Sequence, residues 1–298
     1  MNTIKKKTCG VIITYNPNIK ILHKLIASIK SQVDFLLIID NGSDEDLKDI
    51  SNENNITFIP LSENFGIAHA QNVGIKRARD YCANYVLLLD QDSIPAPDMV
   101  ERLMRAAEKL EAEGQKVAAV GPSYSDVRQG EIPSFVYLKG LSLHRRACSD
   151  PEATVPVDFL IASGSLLPMP SLDLIGGMAE ELFIDYVDIE WGLRAAKLGF
   201  SSFGVCNAHM EHALGDDWIP YKGRKIPLHS PLRHYYHMRN AIWLARQSWI
   251  SRAWTTVLIW RVIRQFAFFS LFAPQGYRHA QMMAIGLWHG IGGRMGRK

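Results

Sequence analysis

A chain of 298 residues with 47% hydrophobic side chains has ample material for a core and suits one large α/β domain or one domain with an appendage. Its 33 basic and 30 acidic residues are unevenly placed: after Asp217 there is no Asp or Glu, so the first 217 residues carry a net −10 and the tail +13. Such a tail is suited to an anionic partner, nucleic acid or a lipid surface, while four scattered cysteines without a CxxC pair fit reduced thiols better than a disulfide framework.

Residues 9–13 read as a first buried strand. Lys5, Lys6 and Lys7 precede it, but the apolar run reaches Thr14-Tyr15-Asn16-Pro17 too soon for a signal peptide, so the chain is expected on the cytoplasmic side. Apolar residues at helical spacing predict a helix over about 19–31. A second strand, 35–39, ends on Asp40-Asn41-Gly42-Ser43-Asp44. Strand, helix, strand with polar strand ends is the start of a doubly wound parallel sheet. Asp40 ends an apolar strand and needs a partner; a base N–H or ribose hydroxyl would serve, and Gly42 allows close backbone approach. Ser43 and Asp44 need nothing beyond turn chemistry.

A third strand over 56–61 leads into Glu63-Asn64-Phe65-Gly66 and a helix whose small residues, Gly66, Ala68, Ala70 and Gly74, permit close approach and whose first N–H groups face any nearby anion. Asn72 is expected to face the pocket, Phe65 to pack, and His69 to be an ordinary boundary residue. The next strand, 85–89, stops on Asp90-Gln91-Asp92-Ser93. Ligands in open α/β sheets bind beyond the carboxyl ends of the strands, and two carboxylates there suit a hard divalent cation, Mg2+ or Mn2+, that keeps water and phosphate oxygens in its shell. The alternative is that Asp92 and Ser93 only cap the helix starting near 97–99.

Thr14-Tyr15-Asn16, Asp40-Asn41-Gly42-Ser43, the Asn64-x-Gly66-x-x-x-Ala70-x-Asn72-x-Gly74 segment and Asp90-Gln91-Asp92, in that order, resemble family-2 inverting glycosyltransferases of the GT-A fold, and within them bacterial rhamnosyltransferases. The resemblance covers about the first 215 residues. It implies an α/β GT-A fold, a Rossmann-like, mostly parallel sheet with flanking helices. It implies that Thr14, Tyr15, Asn16 and Asp40, with Asn41, Gly42, Asn64, Gly66, Asn72 and Gln91 around them, surround the nucleotide. Asp90 would serve the ribose and, with Asp92, a diphosphate-bound metal. The implied donor is a nucleotide sugar, with dTDP-L-rhamnose favoured.

A helix over 99–113 and a strand over 117–120 follow, then a poorly periodic stretch, 121–156, expected as a loop or hairpin insert over the site. Residues 159–168 look like the segment beneath the acceptor, with Gly164 and Ser165 either bordering the sugar or forming a turn. The second acidic cluster, 183–194, runs into a helix. Inverting transfer needs a base for the acceptor hydroxyl, and Asp188 and Asp185 are the candidates. Aligning Trp191 and Arg194 with the family places Tyr186 where its base Asp stands, so Asp188 is taken over Asp185; a first-turn helix acid is the plainer reading of either. Glu190 is expected to pair with Arg194 at i+4. After a strand over 200–205, the resemblance assigns His212 to the metal and leaves His209 structural.

The remainder, 218–298, is expected to be a basic helical region appended to a catalytic unit of 1–217. Residues 232–246 resemble the family segment closing over the donor, which would bring Arg239 to the diphosphate. Residues 254–274 nearly span a bilayer, yet Arg261 and Arg264 lie mid-segment, each costing about 3 kcal/mol at the bilayer centre. An interfacial, membrane-associating helix with arginines on lipid phosphates fits better than a spanning or buried one. The expected partners are a nucleotide-sugar donor, a lipid-linked saccharide acceptor and the anionic inner face of the plasma membrane, with the protein peripheral on it. A UDP-hexose or UDP-N-acetylhexosamine donor and a nucleic-acid-binding role are the rival readings, the latter disfavoured. A sugar-nucleotide pyrophosphorylase would want a Gly-rich loop after the first strand, which Thr14-Tyr15-Asn16-Pro17 is not.

Overall fold

A computed structural model of the chain describes residues 6–45, 47, 55–125, 135–148, 150–212 and 217–298, with the side chains of His212, Asp217 and Arg224 outside the description. In chain order the elements are β1 (Thr8–Thr14), α1 (Ile19–Ile29), β2 (Phe35–Asp40), β3 (Ile56–Pro60), α2 (Ile67–Asp80), β4 (Tyr85–Asp90), β5 (Ser93–Pro95) and α3 (Met99–Ala112). Then come β6 (Val117–Ser125), β7 (Phe135–Lys139), β8 (Ser142–Arg146), β9 (Thr154–Val157), β10 (Leu166–Pro168), α4 (Met169–Ile175), α5 (Val187–Lys197) and β11 (Ser201–His212). The chain closes with β12 (Asp217–Tyr221), β13 (Arg224–Leu228), α6 (Pro231–Ala245), α7 (Arg252–Phe272) and α8 (Gly276–Gly292).

The main sheet runs β3-β2-β1-β4-β10-β6-β11-β5, with β9 beside β11. The pairs β3–β2, β2–β1, β1–β4 and β6–β11 are parallel, whereas β10, β5 and β9 run antiparallel to their neighbours. This is the mixed, mostly parallel α/β sheet that the motif order predicts. After β1 the chain winds outward through β2 and β3 and then returns to place β4 on the other side of β1. The strand order therefore reverses between β1 and β4, and a crevice opens at their carboxyl ends.

Alternation along the strands sorts side chains to two faces. Ile12, Leu36, Ile38, Leu87 and Leu89 pack under α1 and α3, while Val11, Ile13, Leu37, Ile39, Val86 and Leu88 pack under α2, α4 and α5. On the second face a Cβ at Gly74 would lie 2.3 Å from Val11, so α2 sits on β1 at a distance only glycine permits. A third core gathers Tyr186, Ile189 and Leu193 of the α5 region with Met238, Ala241 and Leu244 of α6, Trp254, Leu258 and Val262 of α7, and Met283 of α8.

The insert does contain a hairpin, β7–β8, although 126–134 lie outside the described residues. One expectation needs correcting. Cys148 and Cys206 form a disulfide, with Cα atoms 5.6 Å apart across 58 residues; only Cys9 and Cys82 are free. Antiparallel pairing of β9 on β11 brings these cysteines together, a long-range event that spacing does not encode. The basic tail holds three helices, and the inner side of α7 is packed: Trp254, Val257, Leu258, Val262 and Phe269 are buried.

Candidate active site

Asp90, Gln91 and Asp92 stand at the end of β4, partly buried, where the strand order reverses. The capping alternative for Asp92 and Ser93 fails, because α3 has Asp98 at its N-cap position and Ser93 lies in β5. The Ser93 and Ser163 hydroxyls share a hydrogen bond of 2.6 Å, and the Asp90 N–H donates to Ser163 Oγ at 3.0 Å. Ser163, which sequence reasoning passed over, thus pins the acidic turn. Its one signal is the Ser163-Gly164-Ser165 run, where Gly164 takes φ +84° and donates to the Leu88 carbonyl.

The groups expected around the nucleotide form a connected frame. Thr14 Oγ1 donates to Asp40 Oδ1 at 2.8 Å, and Ser43 donates to Asp40 from both its backbone N–H and its hydroxyl. Much of Asp40's hydrogen-bonding capacity is therefore met by the chain itself. Gln91 Oε1 accepts from the Tyr15 N–H at 2.8 Å and so locks the β1 loop to the β4 turn, leaving the Tyr15 side chain 45% exposed. Asn16, at φ +44°, exchanges hydrogen bonds with Asp44 and donates its backbone N–H to Ser43.

Elsewhere the structure corrects the expected contacts. A Cβ at Gly42 would meet the Glu63 backbone at 2.5 Å, and one at Gly66 the Phe183 carbonyl at 2.5 Å, so both glycines admit protein backbone rather than ligand. Asn41 and Asn64 bond each other and the Phe65 and Gly66 N–H groups. Asn72 turns away from the crevice, donating to the Met178 carbonyl and Glu180 and accepting from the Met178 N–H. The α2 N-terminus is occupied as well, Ile67 N–H donating to the Phe183 carbonyl at 2.7 Å. Phe65 is 40% exposed rather than packed, and His69 pairs with Glu180 at the surface.

Arg239 does not approach the crevice as expected. It is fully buried and donates to the carbonyls of Glu181, Leu182 and Gly296. Its neighbour Asn240 donates to the carbonyls of Leu182, Ile184 and Asp185 at 2.8–3.0 Å. The clamped segment is strained: Phe183, Asp185 and Tyr186 all have φ between +65° and +67°, a region costing a non-glycine residue about 1–3 kcal/mol. The segment delivers the chain into α5, where Glu190 pairs with Arg194 at 2.7 Å as the i+4 spacing predicts. Arg194 also donates to the Ile175 and Gly177 carbonyls.

The two base candidates are physically unlike. Asp185 is bound by Arg233 at 2.6 Å and His237 at 3.2 Å; burial alone would raise its carboxyl, but these partners hold it well below the usual carboxylate range. Among the described residues no such cation pairs with Asp188. Burial, reinforced by the negative charges of Asp185 and Asp90, pushes it up to about 6. It occupies the first turn of α5 without being its N-cap and lines a pocket with Leu160, Ala162, Ser165 and Trp191. A half-buried carboxylate of raised proton affinity, within the field of Asp90, can accept a proton from a hydroxyl in that pocket.

Among the described residues no group of three or more His, Cys, Asp or Glu could hold a metal ion. The His212 side chain lies outside the described residues, but its backbone pairs with Ser93, beside Asp92. Two carboxylates one residue apart at a strand end fit a cation that takes its remaining ligands from water and a substrate.

The fold has counterparts. The chain is 33% identical over 241 residues, 80% of each protein, to a dTDP-rhamnosyl transferase, RfbF, of Shigella flexneri. Among solved structures it superimposes on S. aureus TarS 1-349 in complex with UDP-GlcNAc with a TM-score of 0.61 at 16% identity, covering 96% of this chain and 80% of that one. It also matches GalNAc-T7 with UDP, GalNAc and Mn2+ at a TM-score of 0.58 and 12% identity, spanning 86% of this chain but about half, 54%, of that one. Residues 9–155 match the glycosyl transferase family 2 pattern, and that stretch holds the β1 loop, the Asp40 turn and the Asp90–Asp92 pair; with the relative that shares a third of its residues, this establishes that the chain belongs to glycosyl transferase family 2.

Proposed function

We propose that the protein transfers L-rhamnose from dTDP-L-rhamnose, with inversion, to a hydroxyl of a lipid-linked glycan in the synthesis of O-antigen or another surface polysaccharide. The observation that carries the donor is the 33% identity to a dTDP-rhamnosyl transferase over 80% of both chains. The reaction type rests on Asp188, whose carboxyl is raised by burial and by the negative charges of Asp185 and Asp90 and which lines a pocket with Ser165 and Trp191. In this reading Asp188 takes the proton as the acceptor oxygen attacks the anomeric carbon from the side opposite the diphosphate, whose bond to that carbon breaks. Thr14, Tyr15, Asn16 and Asp40 frame the nucleotide, and Asp90 and Asp92, with His212, would hold Mg2+ or Mn2+. When bound, such a cation neutralises charge developing on the departing diphosphate. The Mn2+ in the GalNAc-T7 structure supports that choice.

The test is a panel of dTDP-, UDP- and GDP-sugars assayed for metal-dependent nucleoside diphosphate release, with the anomeric configuration of the product read by NMR. dTDP-L-rhamnose should be turned over fastest, with inversion. Faster turnover of a UDP-hexose or UDP-N-acetylhexosamine would replace the donor while leaving the reaction type in place.

A further inference from the structure

The helices of the tail lack the usual sidedness of a surface helix, being apolar on the outward side as well as the inward one. Along α7 the exposed positions are Arg252, Thr256, Ile259, Trp260, Ile263, Arg264, Ala267, Leu271 and Phe272, a single stripe at helical spacing and mostly apolar. Along α8, Tyr277, Gln281, Ala284, Trp288 and Ile291 make a second stripe. Trp260 is 62% exposed, Trp288 71% and Leu271 75%, although both helices already pack against α6 and each other. Exposed apolar area of this extent marks a contact surface, because water exacts a cost for every such side chain left uncovered.

We infer that the outward stripes of α7 and α8 form a docking surface for an anionic lipid bilayer, into whose interface Trp260, Ile263, Leu271, Tyr277, Trp288 and Ile291 insert. Charge selects this occupant. Arg252, Arg264 and Arg278 are exposed on the same two helices, and nothing acidic follows Asp217, so a second copy would meet like charge whereas anionic headgroups meet opposite charge. Tryptophan and tyrosine suit the headgroup boundary, where a ring is buried and its polar atom stays wet. α7 is long and apolar enough to cross a membrane, but carrying it across would strip Trp254, Leu258 and Val262 from the third core, so it lies along the surface. Arg261 serves inward instead of on lipid phosphates: its guanidinium sits 5.4 Å from the centre of the Tyr186 ring, two residues before Asp188, and links the docking helix to the base segment.

The experiment uses the full chain, sedimented with phosphatidylcholine vesicles with and without phosphatidylglycerol. We expect binding only with the anionic lipid, weakened by salt up to about 0.5 M without vanishing, since screening removes the charge attraction and not the apolar insertion. Trp260→Ser with Trp288→Ser should lower the partition coefficient about tenfold or more while the thermal melt of these exposed-site variants stays unchanged. Arg264→Glu with Arg278→Glu should lower it comparably and flatten the salt dependence. On the wild type, brominated lipid should quench tryptophan fluorescence, a readout that requires no variant to fold. Unquenched fluorescence with no vesicle binding overturns the inference. So does a dimer in light scattering that the tryptophan changes dissociate, or retention on an oligonucleotide at physiological salt without vesicle binding. Each readout is independent of which sugar the enzyme transfers.

Discussion

At the scale of single residues, Asp185 and Asp188 are driven to opposite proton affinities by their surroundings, Asp185 by Arg233 and His237 and Asp188 by burial beside Asp185 and Asp90. Asp188→Asn should lower turnover by about 10²–10⁴-fold with donor affinity nearly unchanged, as for loss of a general base. The wild-type kcat/KM should fall on an acid limb at or below about pH 6, because protonation removes the acceptor of the hydroxyl proton and a cation bound nearby moves that limb lower. The stability effect has the opposite sign to the activity effect. A carboxyl raised in the fold contributes stability below its unfolded value and loses it as pH rises through about 6, so Asp188→Asn should melt higher than wild type at pH 7–8 and converge with it near pH 4. Asp185→Asn should instead melt lower by about 3 kcal/mol or more, since it strands Arg233 and His237. The carboxylate's depressed value makes its contribution present at neutral pH and lost only in strong acid. If Asp185→Asn loses turnover while Asp188→Asn does not, the base belongs at Asp185. Asp92→Ala should abolish transfer while leaving the fold intact by circular dichroism, because it changes a partly buried strand-end carboxylate rather than a core side chain; near-normal turnover at limiting metal would refute the metal assignment.

At the scale of elements, α6 is the clamp that holds the strained segment ahead of α5. Three left-handed non-glycine residues persist because Asn240 satisfies three of the segment's carbonyls and Arg239 reinforces one of these and reaches a further one. Asn240→Ala leaves those carbonyls to find water or stay unpaired, at about 1–3 kcal/mol, and should cut kcat at least about tenfold with a smaller change in donor KM. Measuring both constants separates a displaced base from a lost donor contact. The seating of α6 on α8 is equally exacting: a Cβ at Gly286 would lie 2.4 Å from the Tyr235 carbonyl oxygen, and one at Gly290 2.6 Å from that of Arg239. Gly290→Val should therefore push α8 off α6, lower the melting temperature and reduce turnover through Arg239, read by calorimetry and steady-state kinetics on the same preparation.

At the scale of the whole molecule, the tail is joined to the catalytic unit by a shared core and by its last residues. Arg297 reaches Glu63, and the Lys298 N–H donates to Tyr236 Oη. Truncation before Trp254 removes Trp254, Leu258, Val262 and Met283 from the core they share with Tyr186, Ile189 and Leu193, so the shortened chain should lose both solubility and donor hydrolysis. Gel filtration and nucleoside diphosphate release would read the two, and a soluble truncated chain that still hydrolyses donor would show that the helices stabilise nothing but themselves.

Local patterning determined a good deal by itself. Continuous apolar runs ending on Asp40 and Asp90 located the parallel strands and the mouth of the site, since buried strands and polar strand ends follow from backbone pairing and the exclusion of water. Four short motifs in order were enough for the family, and the i+4 spacing for the Glu190–Arg194 pair. What only the tertiary structure decided are contacts whose partners lie far apart in the chain. Asn72 and Arg239, which motif position assigned to the ligand, are spent on carbonyls more than 50 residues away; Ser163 reaches back 73 residues to hold Asp90; Cys148 finds Cys206 across 58. The charge on Asp188 likewise depends on how Asp185, Asp90 and the pocket walls converge on it. A hydrogen-bonding side chain carries the same label in the sequence whether it meets a ligand or a neighbour, and the packing of distant segments settles which.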